Sequence, residues 1–341
     1  MRASSIGAAV AIALGLGGAV GLSDRPAALD PDAPVTVSEA PVDAWVAQQA
    51  AEALAAGVRP GNEPWLVRHA EGKAPVVILY IHGFGASRAE GEAVLDGLAE
   101  DLGANALYLL LPGHGTDDPD FHARAQPADY LRTVAQGLVE ARQLGERLVV
   151  VGSSTGGLLA TWLAAEHPDA VDALILASPF YAFADPAARL LMDSRIGPTL
   201  IPKVMGTDRY AGWKTNPEGR VQQPGYDQHW TTHQRTATLF TLADLRRALA
   251  TPSVYARVKA PTLLMYYDKD AQHTDGVVDI AAMREAYDSF GGFAGPSPKS
   301  RAVNIEDGNH ILMSAYVRTD KDRINSEIRS FLAEVGLGPA P

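Results

Sequence analysis

The segment LVVVGSSTGGLLATWLAAEHP, residues 148–168, decides how the rest of the chain is read. Val149, Val150 and Val151 are β-branched and apolar, the pattern of a buried strand. Residues 158–165 favour helix and carry a largely apolar face. Between them Gly152-Ser153-Ser154-Thr155-Gly156-Gly157 fits G-x-S-x-G, with Ser154 at its centre. A serine presented on a sharp strand-to-helix turn needs flanks without bulk two residues away on either side. The helix that follows places its N-terminus beneath the hydroxyl, where the dipole favours developing negative charge. A Gly-rich turn also forms simply to let strand and helix pack closely, so the remaining chain must supply the chemical partners.

Outward from this segment the same rhythm repeats. APVVILYIHGFG (74–85), ANALYLLLPGHG (104–115), VDALILASPF (171–180), APTLLMYYDKD (260–270) and RAVNIEDGNH (301–310) each read as a strand running into a loop. EPWLVRHA (63–70) reads as a first, weaker strand. Helical patterns fall at 42–56, 90–103, 130–144, 277–290 and 320–335. Apolar strands alternating with helices imply a mostly parallel sheet with helices on both faces, an α/β fold. Residues 181–259 break the rhythm with Pro, Trp, Tyr and His, and hold helical pieces near 186–192 and 239–250. We expect them to be a cap inserted over the carboxyl edge of the sheet. The expected core is then 61–180 plus 260–341, preceded by a linker and helix over 23–60.

At the N-terminus Arg2 precedes an apolar run over 6–22 that ends in the small residues Ala19-Val20-Gly21. Residues 1–22 are therefore expected to be a signal peptide or an uncleaved N-terminal anchor. Either would export the chain to the periplasm or beyond, and an anchor would associate it with a membrane. The 341 residues are 47% hydrophobic and 20% charged, an ordinary globular mixture. The net charge of -11 argues against a nucleic-acid partner, which requires a basic face. With no cysteine, disulfides, Cys-ligated metals and a Cys nucleophile are excluded.

A serine hydroxyl needs a base, and the base needs an orienting carboxylate. Of the nine histidines, His310 follows the last expected strand directly. His82 and His114 sit in tight Gly loops and read as structural. Asp268 and Asp270 both follow the strand PTLLMYY. We expect Asp270 to serve, because the loop must run a few residues past the strand to reach a histidine. The order Ser, Asp, His is the one this architecture gives.

These motifs together resemble the α/β-hydrolase superfamily, and within it the serine carboxylesterase and monoacylglycerol-lipase-like branch. YIHGFGASRAE, LLLPGHGTD, VVVGSSTGGLLA, APTLLMYYDKDA and EDGNHIL occur in the family's order between residues 76 and 312. The resemblance implies that Ser154 is the nucleophile, Asp270 the acid and His310 the base. It implies an oxyanion hole from the backbone N–H groups of Phe84 and Thr155. It implies hydrolysis of a small-molecule carboxylic ester, of short to medium acyl length, through an acyl-enzyme. Two departures stand out: Ser153 precedes the nucleophile where relatives often carry a bulky residue, and Tyr266-Tyr267-Asp268 replaces a common His-Gly, which keeps Asp268 open beside Asp270. Haloalkane dehalogenases and epoxide hydrolases of this fold use Asp at the turn, so Ser154 sets the chain apart from them.

In the cap, Phe180, Trp213, Tyr226 and Trp230, with Tyr181 and Phe183, either line an acyl pocket or form the cap's own core. His229 and His233, four apart with Asp227 nearby, would share a helix face as a metal site needs, but solvated polar residues are the plainer reading. Neither HExxH nor a phosphate loop occurs, and we expect no metal and no cofactor. A peptidase or amidase of the same fold would need acidic cap residues for a free amine, and the cap has no Glu cluster. A non-catalytic binding protein would have no need of the Ser–Asp–His order.

Overall fold

The computed structural model describes residues 40–211 and 223–339, so the N-terminal apolar run, most of the linker and Trp213 lie outside the described residues. Helix α1 (Val42–Ala55) leads into strands β1 (Trp65–Val67) and β2 (Ala74–Ile81). There follow α2 (Glu92–Leu102), β3 (Asn105–Tyr108), α3 (Pro119–Arg124), α4 (Pro127–Leu144), β4 (Gly145–Ser153), α5 (Thr155–Glu166) and β5 (Ala173–Ala177). An excursion then carries α6 (Pro186–Asp193), α7 (Gly197–Met205), β6 (Asp208–Tyr210), α8 (Tyr226–His229), β7 (His233–Arg235), α9 (Thr238–Leu249) and α10 (Pro252–Tyr255). The chain resumes with β8 (Thr262–Tyr266), the short β9 (Asp268–Asp270) and β10 (His273–Thr274), α11 (Ile280–Asp288), β11 (Arg301–Asn304) and α12 (Lys321–Glu334).

Seven strands form one sheet in the order β1-β3-β2-β4-β5-β8-β11, parallel except for β1. The alternation of side chains along β2 divides the core. Val77, Leu79 and Ile81 pack with Tyr130, Leu131 and Val134 of α4 and Leu158 and Leu159 of α5. Val76, Ile78 and Tyr80 pack on the other face with Leu95 and Leu98 of α2 and Ile328 and Phe331 of α12. A strand buried on both faces has no polar side, which is why the central strands read as continuous apolar runs. Their C-terminal ends open on one edge of the sheet, where a parallel α/β fold places its ligands.

The excursion lies against that edge. Thr231 donates its N–H to the Gly85 carbonyl at 2.6 Å, and Arg235 grips the Asp120 carboxylate with two bonds of 2.7 and 2.8 Å. Strands β6 and β7 pair antiparallel, setting Arg209 opposite Gln234. The two helical pieces expected from sequence are α6 and α9. Helix α7 was not foreseen; it carries Pro198 in its first turn, where proline is tolerated, and Pro202 within it. His229 and His233 do not share a helix face: the first ends α8 and the second begins β7. His229 instead bonds Asn62 at 2.8 Å and the Tyr316 hydroxyl at 2.9 Å. Among the described residues no helix is long and apolar enough to cross a membrane.

The two glycines of G-x-S-x-G hold α5 onto the sheet. A Cβ on Gly156 would stand 1.9 Å from the Ile81 carbonyl oxygen, and one on Gly152 would stand 2.4 Å from the Gly156 carbonyl oxygen. Both obstacles are backbone and cannot rotate away. Gly156→Ala should therefore push α5 off β2 and cost about 3 kcal/mol, the upper range for overpacking. Chemical denaturation checks this, and a variant within about 0.5 kcal/mol of wild type would contradict the packing described.

Candidate active site

Ser154 lies between β4 and α5 with φ 50° and ψ -116°. Positive φ in a non-glycine residue costs roughly 1–3 kcal/mol and persists only where its surroundings impose it. Here the Ser154 N–H is held by the Ala177 carbonyl at 2.9 Å, and the Ser154 carbonyl accepts from Phe180 N at 2.9 Å and Leu158 N at 3.1 Å. With both peptide groups fixed and α5 pressed onto β2, the side chain points off the sheet edge.

His310 stands on the loop after β11. Its Nε2 is 2.9 Å from Ser154 Oγ, and its Nδ1 is 2.7 Å from Asp275 Oδ2. A carboxylate only accepts, so the Nδ1 side carries the ring proton and Nε2 presents its lone pair to the serine hydroxyl. The other Asp275 oxygen accepts from Val277 N at 2.8 Å and Val278 N at 3.2 Å, and the Asp275 side chain is fully buried. Burial of His310 works against its imidazolium, but the charge and hydrogen bond of Asp275, with the charge of Glu90, outweigh it and raise the pKa above 6.5.

The carboxylate on His310 is thus Asp275, and Asp270, expected from sequence, is elsewhere. Asp270 is exposed, accepts from the backbone of Gln272 and His273, and bonds the His273 ring at 2.8 Å. The His273 hydrogen bond, first among several local contacts, lowers its pKa. Asp268 is occupied at its backbone by Asn304. Residues 268–274 form a small antiparallel hairpin that closes where Asp275 N–H donates to Tyr267 O at 3.1 Å. The chain makes a polar detour and returns to the end of β8 before presenting its acid.

Ser154 and His310 border a cavity of about 260 Å³ that Phe84 and Thr155 also line. Thr155 is the first residue of α5, where N–H groups have no partner within the helix. Phe180, Phe183, Tyr226 and Trp230 line the same space, the last two with rings stacked 4.2 Å apart. Tyr181 turns away, its hydroxyl 2.6 Å from Thr161 on α5. His82 and His114 have no contact with Ser154: His82 Nε2 accepts Leu111 N–H at 2.9 Å and its Nδ1 meets Gly83 O at 2.8 Å, so it joins the loops after β2 and β3.

Sequence reasoning missed Glu90. It is buried beside the cavity and accepts from Gly83 N at 2.6 Å and the Tyr80 hydroxyl at 3.1 Å. Tyr80 also lies 3.3 Å from Ser153 Oγ, which gives that unusual small residue a polar neighbour. Burial raises the Glu90 pKa, against the lowering effect of the Gly83 bond and of His310. It ends the motif YIHGFGASRAE and opens the helical pattern at 90–103, where a glutamate reads as an ordinary helix-start residue.

A serine hydroxyl on an imidazole that is itself held by a buried carboxylate can be deprotonated during attack on an electrophilic carbon. Comparison with known proteins gives the family. The model of the alpha/beta hydrolase family matches residues 78–320, most of the chain, and the chain belongs to that family. It is 27% identical over 259 residues to a thermostable monoacylglycerol lipase of Bacillus sp. (strain H-257), covering 76% of this chain and 90% of that one. A solved structure described among two metagenome-derived lipolytic enzymes, LipS and LipT, superposes with a TM-score of 0.64 at 20% identity, over 81% of this chain and 99% of the other. The monoacylglycerol lipase of Paleococcus ferrophilus superposes at 0.55 and 14% identity, over 81% and 100%. At these identities the structural likenesses bear on the fold alone.

If Asp275 orients His310, Asp275→Asn should lower turnover by about 10⁴-fold, the cost of presenting the wrong tautomer. Asp270→Asn should stay within about 3-fold of wild type, the reach of an exposed surface change. Because His310 must be neutral to accept the serine proton, wild-type activity should fall on the acid side with a midpoint above pH 6.5. Steady-state kinetics across pH check both, and a larger loss in Asp270→Asn than in Asp275→Asn would reverse the assignment.

Proposed function

We propose that this alpha/beta hydrolase cleaves carboxylic esters of short to medium acyl length through an acyl-enzyme on Ser154. The observation that carries the reading is the chain Ser154–His310–Asp275 opening onto a cavity. His310 Nε2 takes the hydroxyl proton as Ser154 Oγ attacks the ester carbonyl. The N–H groups of Phe84 and Thr155 receive the oxyanion. His310 returns the proton to the departing alcohol, then draws one from the water that attacks the acyl-enzyme, and free acid leaves.

The cavity volume, about 260 Å³, lies near the lower bound of roughly 300–1,000 Å³ for small-molecule pockets, which favours shorter chains. Its aromatic lining suits an acyl group. The carboxylates on its wall are already engaged: Glu90 by Gly83 N–H, and Asp185 by the N–H groups of Ala187 and Ala188. In each case the bonds fall on one oxygen, Oε2 of Glu90 and Oδ1 of Asp185.

Fluorophosphonate labelling with peptide mapping, run beside p-nitrophenyl acetate, butyrate, octanoate and palmitate, tests the reading. We expect the label on Ser154 and its loss in His310→Ala. Ester turnover should drop by about 10⁴-fold or more in Ser154→Ala, and palmitate should be the poorest substrate. A folded wild-type protein that neither takes the label nor turns over any ester would overturn the proposal.

A further inference from the structure

Among the described residues, the cavity wall holds an arginine whose charge none of their carboxylates answers. Arg209, on β6, lines the same space as Ser154 and His310. Its Nη2 donates to the Gln234 side-chain oxygen, and among the described residues that is its polar partner. Its Nε is buried with no acceptor. Other arginines of the same excursion pair with carboxylates, as Arg235 does with Asp120 and Asp208, and Arg246 with Asp193. The two carboxylates on the cavity wall, Glu90 and Asp185, make no ion pair with Arg209 and are bonded to backbone N–H groups instead.

Arg209 is also held in place. Gln234 is buried and stands directly across from it in the β6–β7 pair. The Gln234 amide donates Nε2–H to the Thr231 carbonyl at 2.7 Å, so its oxygen is left to accept from the guanidinium. Thr231 is in turn bonded to Gly85, on the loop that carries Phe84. The guanidinium is thereby fixed relative to the reacting centre. Removal from water has lowered its pKa to about 10, which still leaves it charged at neutral pH. Arg209 is half-buried, with its Nε out of reach of water; a partly desolvated cation without a counter-charge among the described residues is relieved by an anionic ligand. A guanidinium fork matches a carboxylate in shape and number of acceptors.

We propose that Arg209 is a specificity residue that selects esters bearing a carboxylate elsewhere in the molecule, half-esters of dicarboxylic acids or acylated hydroxy acids. The inference rests on the ester-hydrolase reading of the same cavity. A single guanidinium, in a chain of net charge -11, suits a monoanion better than a phosphate dianion.

The test compares charged and neutral partners of equal size: monomethyl against dimethyl adipate, and O-butyryl-lactate against its methyl ester. A glycerol 3-phosphate butyrate ester is the phosphate arm. In wild type at least one carboxylate partner should have the higher kcat/KM. That preference should shrink about 10- to 100-fold in Arg209→Met, the range for a hydrogen bond to a charged group, and be partly kept in Arg209→Lys. Calorimetric binding of the same compounds to Ser154→Ala reads the preference without turnover. If no ester is cleaved, the functional reading fails while binding still judges Arg209. Neutral partners equal to charged ones in both assays, or a preference unchanged in Arg209→Met, would overturn the inference. So would tighter binding of the phosphate ester than of either carboxylate.

Discussion

The contact between Gly156 and the carbonyl of Ile81 sets the geometry on which the site depends. Helix α5 begins within bare-backbone distance of the end of β2, and nothing larger than hydrogen fits between them. This approach leaves the chain one residue in which to turn from strand to helix, and that residue, Ser154, takes a positive φ. The strain is local and is imposed by neighbours on every side: Ala177, Phe180 and Leu158 each bond its backbone. A hydroxyl held at the cavity wall above a helix N-terminus follows from packing before any chemistry is considered.

That constraint explains which parts of the molecule were legible in the sequence. Helix–sheet contact at this range requires glycine at 152 and 156, and glycine spacing is visible in a string of letters. The apolar runs of β2, β4, β5 and β8 were visible too, because strands covered on both faces cannot carry polar residues. His310 could be located because the strand before it ends beside the others. Asp275 could not be located by the same rule. Residues 268–274 form a hairpin that starts and finishes at the end of β8, so distance along the chain overstates distance in space. Asp270 looked better placed by count, yet it caps the turn of that hairpin in solvent. The signal that was present is local: Asp275 precedes Gly276-Val277-Val278, whose N–H groups at 277 and 278 it caps as the backbone turns toward α11.

The cavity's charge pattern was less legible still. Glu90 closes the motif YIHGFGASRAE without a role read for it, Arg209 comes from a segment with no motif, and the meaning of both depends on their surroundings. Glu90 lies behind the loop after β2: it fixes Gly83, the residue before Phe84, and its charge helps hold the His310 pKa up. Arg209 faces the space where substrate would lie. Two carboxylates, Glu90 and Asp185, and the Arg209 guanidinium give the pocket wall a polarity that its aromatic lining alone would not predict. Phe183, Tyr226, Trp230 and Arg209 all come from the excursion between β5 and β8.

The chain Ser154–His310–Asp275 is tested most directly by low-field proton NMR of the His310 Nδ1–H. A hydrogen bond to a buried carboxylate at 2.7 Å should place that proton furthest downfield of all the ring N–H signals. The signal should be present in wild type and in Asp270→Asn, and absent in Asp275→Asn. A signal that survives loss of the Asp275 charge but vanishes in Asp270→Asn would contradict the arrangement described.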